Sequence, residues 1–245
     1  MLTDLWTVVW KEWKEFFIMR GGMRGGTLGL LVFIAVFSIY LPLQTGPTWV
    51  QSPMLLVYWA WVPLFLVTSV IADSFAGERE RRTLATLLAS RISDRAILFG
   101  KVAAGVAYGW GFTLINLFLG LVMVNLVYGH GRLLLYAPAV ALGVLGLSLL
   151  GATLAASAGV LVSLRAATVK HAQQTLSFAI ILVLFVPILG LQALPDAWQG
   201  RVILAVTNAG AMRLVLYVMG VLALVDAALL AAARARFKRA RLILD

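Results

Sequence analysis

From Val102 to Gly129 the chain carries no charged residue, and similar uncharged runs lie at Thr27–Leu43, Met54–Ala72, Leu133–Leu164 and Gln174–Leu194. A helix of roughly 20 apolar residues crosses the hydrocarbon core of a bilayer. A chain of 245 residues with several such runs is expected to be an all-α integral membrane protein. Composition agrees: 62% of residues are hydrophobic and 12% charged, against about 25% charged in soluble domains. Six spans are expected: Thr27–Leu43, Met54–Ala72, Val102–Gly129, one within Leu133–Leu164, Gln174–Leu194, and Ala211–Ala233. The fourth run exceeds one crossing, so its first turns should lie at the outer surface.

Six spans place both termini on one side. Lys and Arg then number four in the N-terminal segment, six from Arg79 to Lys101, two at Arg165 and Lys170, and five from Arg234 onward. Only Arg132, Arg201 and Arg213 fall on the other face. By the positive-inside rule the basic face is cytoplasmic. The net charge of +10 is therefore a topological signal and does not point to nucleic acid. With no cysteine in the chain, disulfides, thiolate metal sites and cysteine nucleophiles are excluded.

The whole chain, 1–245, reads as one transmembrane domain: 1–24 an interfacial helix and hinge, 27–72 spans one and two, 73–101 a cytoplasmic insert, 102–233 spans three to six, and 234–245 a basic tail. In the first segment Leu2, Leu5, Trp6, Val9, Trp13, Phe16 and Phe17 recur at helical spacing, opposite Asp4, Lys11, Glu12, Lys14 and Glu15. Bulky aromatics facing charges suggest a helix lying in the membrane interface. The segment lacks the basic leader, apolar core and cleavage site of a signal peptide. "RGGMRGG", residues 20–26, reads as a hinge, and "QTGPTWVQS" as a polar turn. Within the spans, Gly105 and Gly109, and Ala155, Gly159 and Ser163, are spaced for close helix approach.

The insert poses the functional question. Five charges fill Glu78 to Arg82. Glu78 and Arg82 are four apart, acid first, the favourable order on a helix. Leu84, Leu87 and Leu88 form a short apolar stripe, and Ser93 is a candidate N-cap with Ile92 and Ile97 as a hydrophobic staple. The spacing predicts helix, break, helix, with the second helix running through Gly100 and Lys101 into span three. Two short helices with apolar faces resemble a docking surface more than a connector.

"GERERRTLATLLASRISDRAILFGK" resembles the segment after the second span of ABC-2 type permeases, the membrane subunits of a class of ABC transporters. The resemblance rests on Glu78 and Glu80, Thr83-Leu84, Leu87-Leu88, Ser93 and Gly100-Lys101, with Lys11-Glu12 in the N-terminal helix. Many members carry Gly where Arg82 stands, an acid at Ala85 and a Pro near Arg91-Ile92. The resemblance implies an insert that acts as a coupling helix. Glu78, Glu80, Arg82, Thr83, Leu84, Leu87 and Leu88 would contact a cytoplasmic ABC ATPase, present in two copies, beside a second six-span permease subunit. It further implies an exporter in the cytoplasmic membrane of a prokaryotic cell. This chain should bind no cofactor and have no catalytic residue of its own, ATP and Mg being used by the partner. Around Lys101, "LFGKVA" lacks the first glycine and the hydroxyl of a phosphate-binding P-loop.

Inside the spans, Asp226, Asn116 and Asn125 are candidates for a translocation path or an intramembrane polar network. His130 and His171 fall on opposite faces by this topology, so no shared metal site is expected. Trp198, Val202 and Ala205 would share one face of a short outer helix. Two other readings compete. A non-transporting scaffold that uses an ABC ATPase for assembly or mechanical work would need the same insert. An intramembrane enzyme would need paired aspartates, Ser with His, or HExxH, and the sequence has none.

Overall fold

The structure, a computed structural model, describes residues 2–21, 24–201 and 210–237. The centre of the expected hinge, the side chains of Leu2, Phe16, Phe17 and Leu88, residues Val202 and Ala205, and the basic tail from Lys238 lie outside the described residues. Among the described residues there is no strand. Helices α1 (Leu2–Gly21), α2 (Arg24–Ile34), α3 (Leu41–Thr45), α4 (Met54–Glu80), α5 (Leu84–Ala89), α6 (Asp94–Tyr128), α7 (Pro138–Ser163), α8 (Val169–Gln192) and α9 (Ala211–Arg236) follow in order. A π-helical stretch, Ala35–Tyr40, joins α2 to α3, and a 3-10 turn, Gly46–Val50, follows α3. Residues 196–201 are also helical.

Among the described residues, five segments are long and apolar enough to cross a membrane: Leu28–Val50, Tyr58–Glu80, Asp94–Tyr128, Pro138–Ser163 and Met212–Arg236. Their outer faces carry large exposed apolar side chains, Leu126 at 75% and Leu224 at 74%. That pattern suits hydrocarbon, where a helix satisfies its own backbone and lipid covers its side chains.

α4 is the hub, packed against α6, α7 and α8, and α9 packs on α7. The small residues make this possible. A Cβ at Gly159 would overlap Cγ2 of Ile71, and one at Gly109 would overlap Cγ2 of Val67. Ser163 goes further: its hydroxyl accepts from the backbone N–H groups of Phe75 (3.1 Å) and Ala76 (2.9 Å) and donates to the carbonyl of Ala72 (3.0 Å). Two cores result. One, at the basic end, includes Ile71, Phe75, Ile97, Val160 and Leu176. The other gathers Trp49, Trp59, Leu117 and Val144, with Phe33 stacked on Phe37 at 4.3 Å between ring centroids.

Several boundaries differ from expectation. The stretch "QTGPTWVQS", expected as a polar turn, is helical as far as Val50, with Trp49 and Val50 buried. Trp49 and Val50 belong to the second core, and the carbonyl of Val50 accepts from Ala137 N–H at 3.0 Å. α4 continues to Glu80 and α6 begins at Asp94, which leaves 81–93 as the link. The second junction follows the sequence closely, with Ser93 Oγ accepting from Ala96 N–H at 3.3 Å.

At the first junction the expected Glu78–Arg82 helical pair is absent because the helix has ended. Arg82 has φ 57°, its N–H bonds the carbonyl of Arg79 (3.1 Å), and Thr83 N–H bonds that of Glu78 (2.9 Å). This is a Schellman termination with arginine at the left-handed position that glycine usually fills. An L side chain there costs roughly 1–2 kcal/mol, part of which glycine returns as unfolded-state entropy. Arg82→Gly is therefore expected to stabilise the protein by about 0.5 kcal/mol, read as a higher unfolding midpoint in detergent.

Candidate functional site

Lys101 lies in the second turn of α6, where span three begins, and is 2% exposed. An ammonium cannot be buried without partners, and three oxygens meet it. Its Nζ donates to Glu12 Oε1 on α1 at 2.6 Å, to the Ser74 carbonyl on α4 at 2.7 Å, and to Glu78 Oε1 at 3.0 Å. It also lies 5.1 Å from the centre of the Phe75 ring. Glu12 and Glu78 are each 3% exposed. Lys11 adds a second cation to Glu78 Oε1 at 2.9 Å and bridges to Glu15 at 3.3 Å. Partial burial works against the Lys11 charge, but the hydrogen bond to Glu78 and the negative charges of Glu78, Glu12 and Glu15 together outweigh it and hold the ammonium above its ordinary range.

The junction ties three elements together: the N-terminal helix, the end of span two and the start of span three. Gly100 lets α1 approach, since a Cβ there would come 2.7 Å from Val8. The face of α1 that packs inward thus carries Val8 and Glu12, and its tryptophans point away, Trp6 being 66% and Trp10 54% exposed. Glu12 was expected on the outer, charged face. It faces inward because Lys101 lies opposite. The exposed tryptophans retain the amphipathic character that suits a membrane interface.

Beside the junction, two neighbouring residues grip the loop between α7 and α8. Arg79 donates to the carbonyls of Ala166 (2.7 Å) and Leu164 (2.9 Å), closing the end of α7. Glu80 Oε1 accepts from Val169 N–H at 2.9 Å, at the first residue of α8. A carboxylate there also meets the positive end of the helix dipole. Thr168 caps the same helix through His171 N–H at 3.2 Å.

The expected contact residues therefore divide. Glu78 and Glu80 serve as acceptors, but for other helices of this chain. Leu84 is 9% exposed and belongs to the core at the basic end, with Leu87 and Ile92 packed against that core. Leu84→Asp would therefore report on folding, not on docking. Arg82, Thr83, Ala85, Thr86 and Ala89 are exposed.

The intramembrane candidates also separate. Asn116 is buried, accepts from Ser38 Oγ at 2.6 Å and donates to the Phe112 carbonyl at 2.7 Å, joining the π-helical stretch of span one to α6. Asn125 donates to the carbonyls of Leu121 (2.9 Å) and Leu134 (2.8 Å) and accepts from Leu134 N–H (2.7 Å), fastening the loop between α6 and α7. Both work as polar ties. Asp226 is 4% exposed, and neither carboxylate oxygen has a partner among the described residues.

Sequence reasoning singled out most members of the junction one by one, as the Lys11-Glu12 and Gly100-Lys101 pairs and the acid Glu78, but did not connect them. The available signal was a lysine at the mouth of an apolar helix with no acid within one turn of it in sequence. The family model described as ABC-2 family transporter protein matches residues 65–204, which takes in most of α4, all of α5 to α8 and the grip on the α7–α8 loop. No curated protein and no solved structure matches the chain.

Proposed function

This chain belongs to the ABC-2 family of transporter proteins, and from that premise we propose that it is the membrane subunit of an ATP-driven exporter, energised by a separate ABC ATPase docked at the basic end. The observation that carries this reading is the Lys101 junction. The link 81–93 hangs between two helices that are fixed to each other and to α1 by buried charge. A force applied to α5 would reach spans two and three together, and Arg79 and Glu80 would pass it to the α7–α8 loop. Such a frame suits coupling to a moving partner. α8 is the fifth of six spans and α9 the sixth, both termini are cytoplasmic, and two permease chains work with two ATPases.

Topology is tested with single cysteines in this naturally cysteine-free chain. Thr48 is exposed between the first two spans and serves as the outer position. Thr48→Cys should react with an impermeant thiol reagent on intact cells, whereas Thr86→Cys and Arg236→Cys should not. Labelling of Arg236→Cys would remove the six-span arrangement.

The transport role is tested in liposomes: candidate substrates should stimulate ATP hydrolysis by the reconstituted complex, while a scaffold would show none. Asp226→Asn should reduce that stimulation while ATPase subunits still co-purify. Equal loss of both would assign Asp226 to packing.

A further inference from the structure

Between α1, the end of α4 and α5 lies a crevice of about 460 Å³, lined by Lys11, Glu15, Glu78, Arg81, Thr86 and Leu87 among others. Its cations are already engaged: Lys11 bridges Glu78 and Glu15, and Arg81 holds Asp73 at 2.8 Å. One acceptor is not. Glu78 Oε2 is buried without a hydrogen-bond partner, although Glu78 lines the crevice. Among the described residues, the linked groups Glu12, Glu15, Asp73 and Glu78 oppose Lys11, Arg81 and Lys101, four carboxylates to three cations, leaving one negative charge in excess. That excess lies within the most basic part of a chain whose net charge is +10. A metal ion fits poorly, since no three His, Cys, Asp or Glu among the described residues are placed to hold one.

We propose that this crevice is a socket for one basic side chain of the ATPase subunit, an arginine or lysine whose donors reach Glu78 at the floor and Glu15 at the rim. Its stem would lie along Leu87, as long cationic side chains do on apolar surface. The proposal rests on the ATPase reading above and gives it a location: the contact is acidic and lies on the α1 side of α5.

The test uses the full-length chain in native membranes, with benzophenone maleimide on Thr86→Cys at the crevice or on Ala89→Cys at the exposed end of α5. Adducts are identified by mass spectrometry. Irradiation of the Thr86→Cys protein should join it to a protein carrying a P-loop. Adding Glu15→Lys should lower that yield about tenfold or more, because like charges juxtaposed at an interface cost several kcal/mol. The Lys11–Glu15 pair is a surface contact worth little to the fold, so the variant should remain inserted. Adducts to the ATPase from Ala89→Cys alone, or a Thr86→Cys yield indifferent to Glu15→Lys, would overturn the socket while leaving ATPase docking in place. No ATPase adduct from either position would overturn both.

Discussion

Lys101→Met should destabilise the protein by about 3–5 kcal/mol, the usual cost of removing one partner from a buried ion pair. Methionine fills a similar volume, so the loss would not come from a cavity. It would come from Glu12 and Glu78, which are left buried with too little positive charge. The variant should unfold at lower denaturant concentration in detergent, and hydrogen exchange should quicken first in α1. A triple variant, Lys101→Met with Glu12→Gln and Glu78→Gln, should recover most of the loss. If Lys101→Met alone costs less than about 1 kcal/mol, which is the range of an exposed pair, the junction is not the tie described above.

Gly159→Leu should be nearly as severe. Even a Cβ at this position overlaps Ile71, whose branched side chain offers little room to move. Overpacking typically costs 1–3 kcal/mol. A full leucine between α4 and α7 should fall near the top of that range, about 3 kcal/mol, despite the helix propensity gained over glycine. The same displacement would draw Ser163 away from the backbone of Phe75 and Ala76. Ile71→Ala in the same chain should restore much of the stability, and a failure to do so would mean that the strain lies elsewhere.

Features set by local chemistry could be read in advance. Ser93 caps α6 as expected because capping depends on a few adjacent residues, and all the apolar runs but Gln174–Leu194 fall on candidate spans because hydrocarbon leaves a helix no other partner. Three features could not be read this way. The end of α4 at Arg82 is hidden because arginine gives no sign of a left-handed backbone. The leucines of α5 have the spacing of a docking stripe, yet Leu84 turns inward because a six-residue helix beside a large core buries its best apolar side chain. The inward face of α1 is hidden from periodicity because its central contact is an acid, and that acid makes sense only with Lys101 beside it, across 89 positions of sequence.

The most direct measurement of the central claim is native mass spectrometry of the full-length chain isolated gently from its own membranes. The expected particle holds two permease chains and two copies of a P-loop ATPase, and Lys101→Met should release the ATPases from whatever fraction remains inserted. A wild-type particle that carries no ATPase under conditions where the membrane chain stays folded would contradict the account.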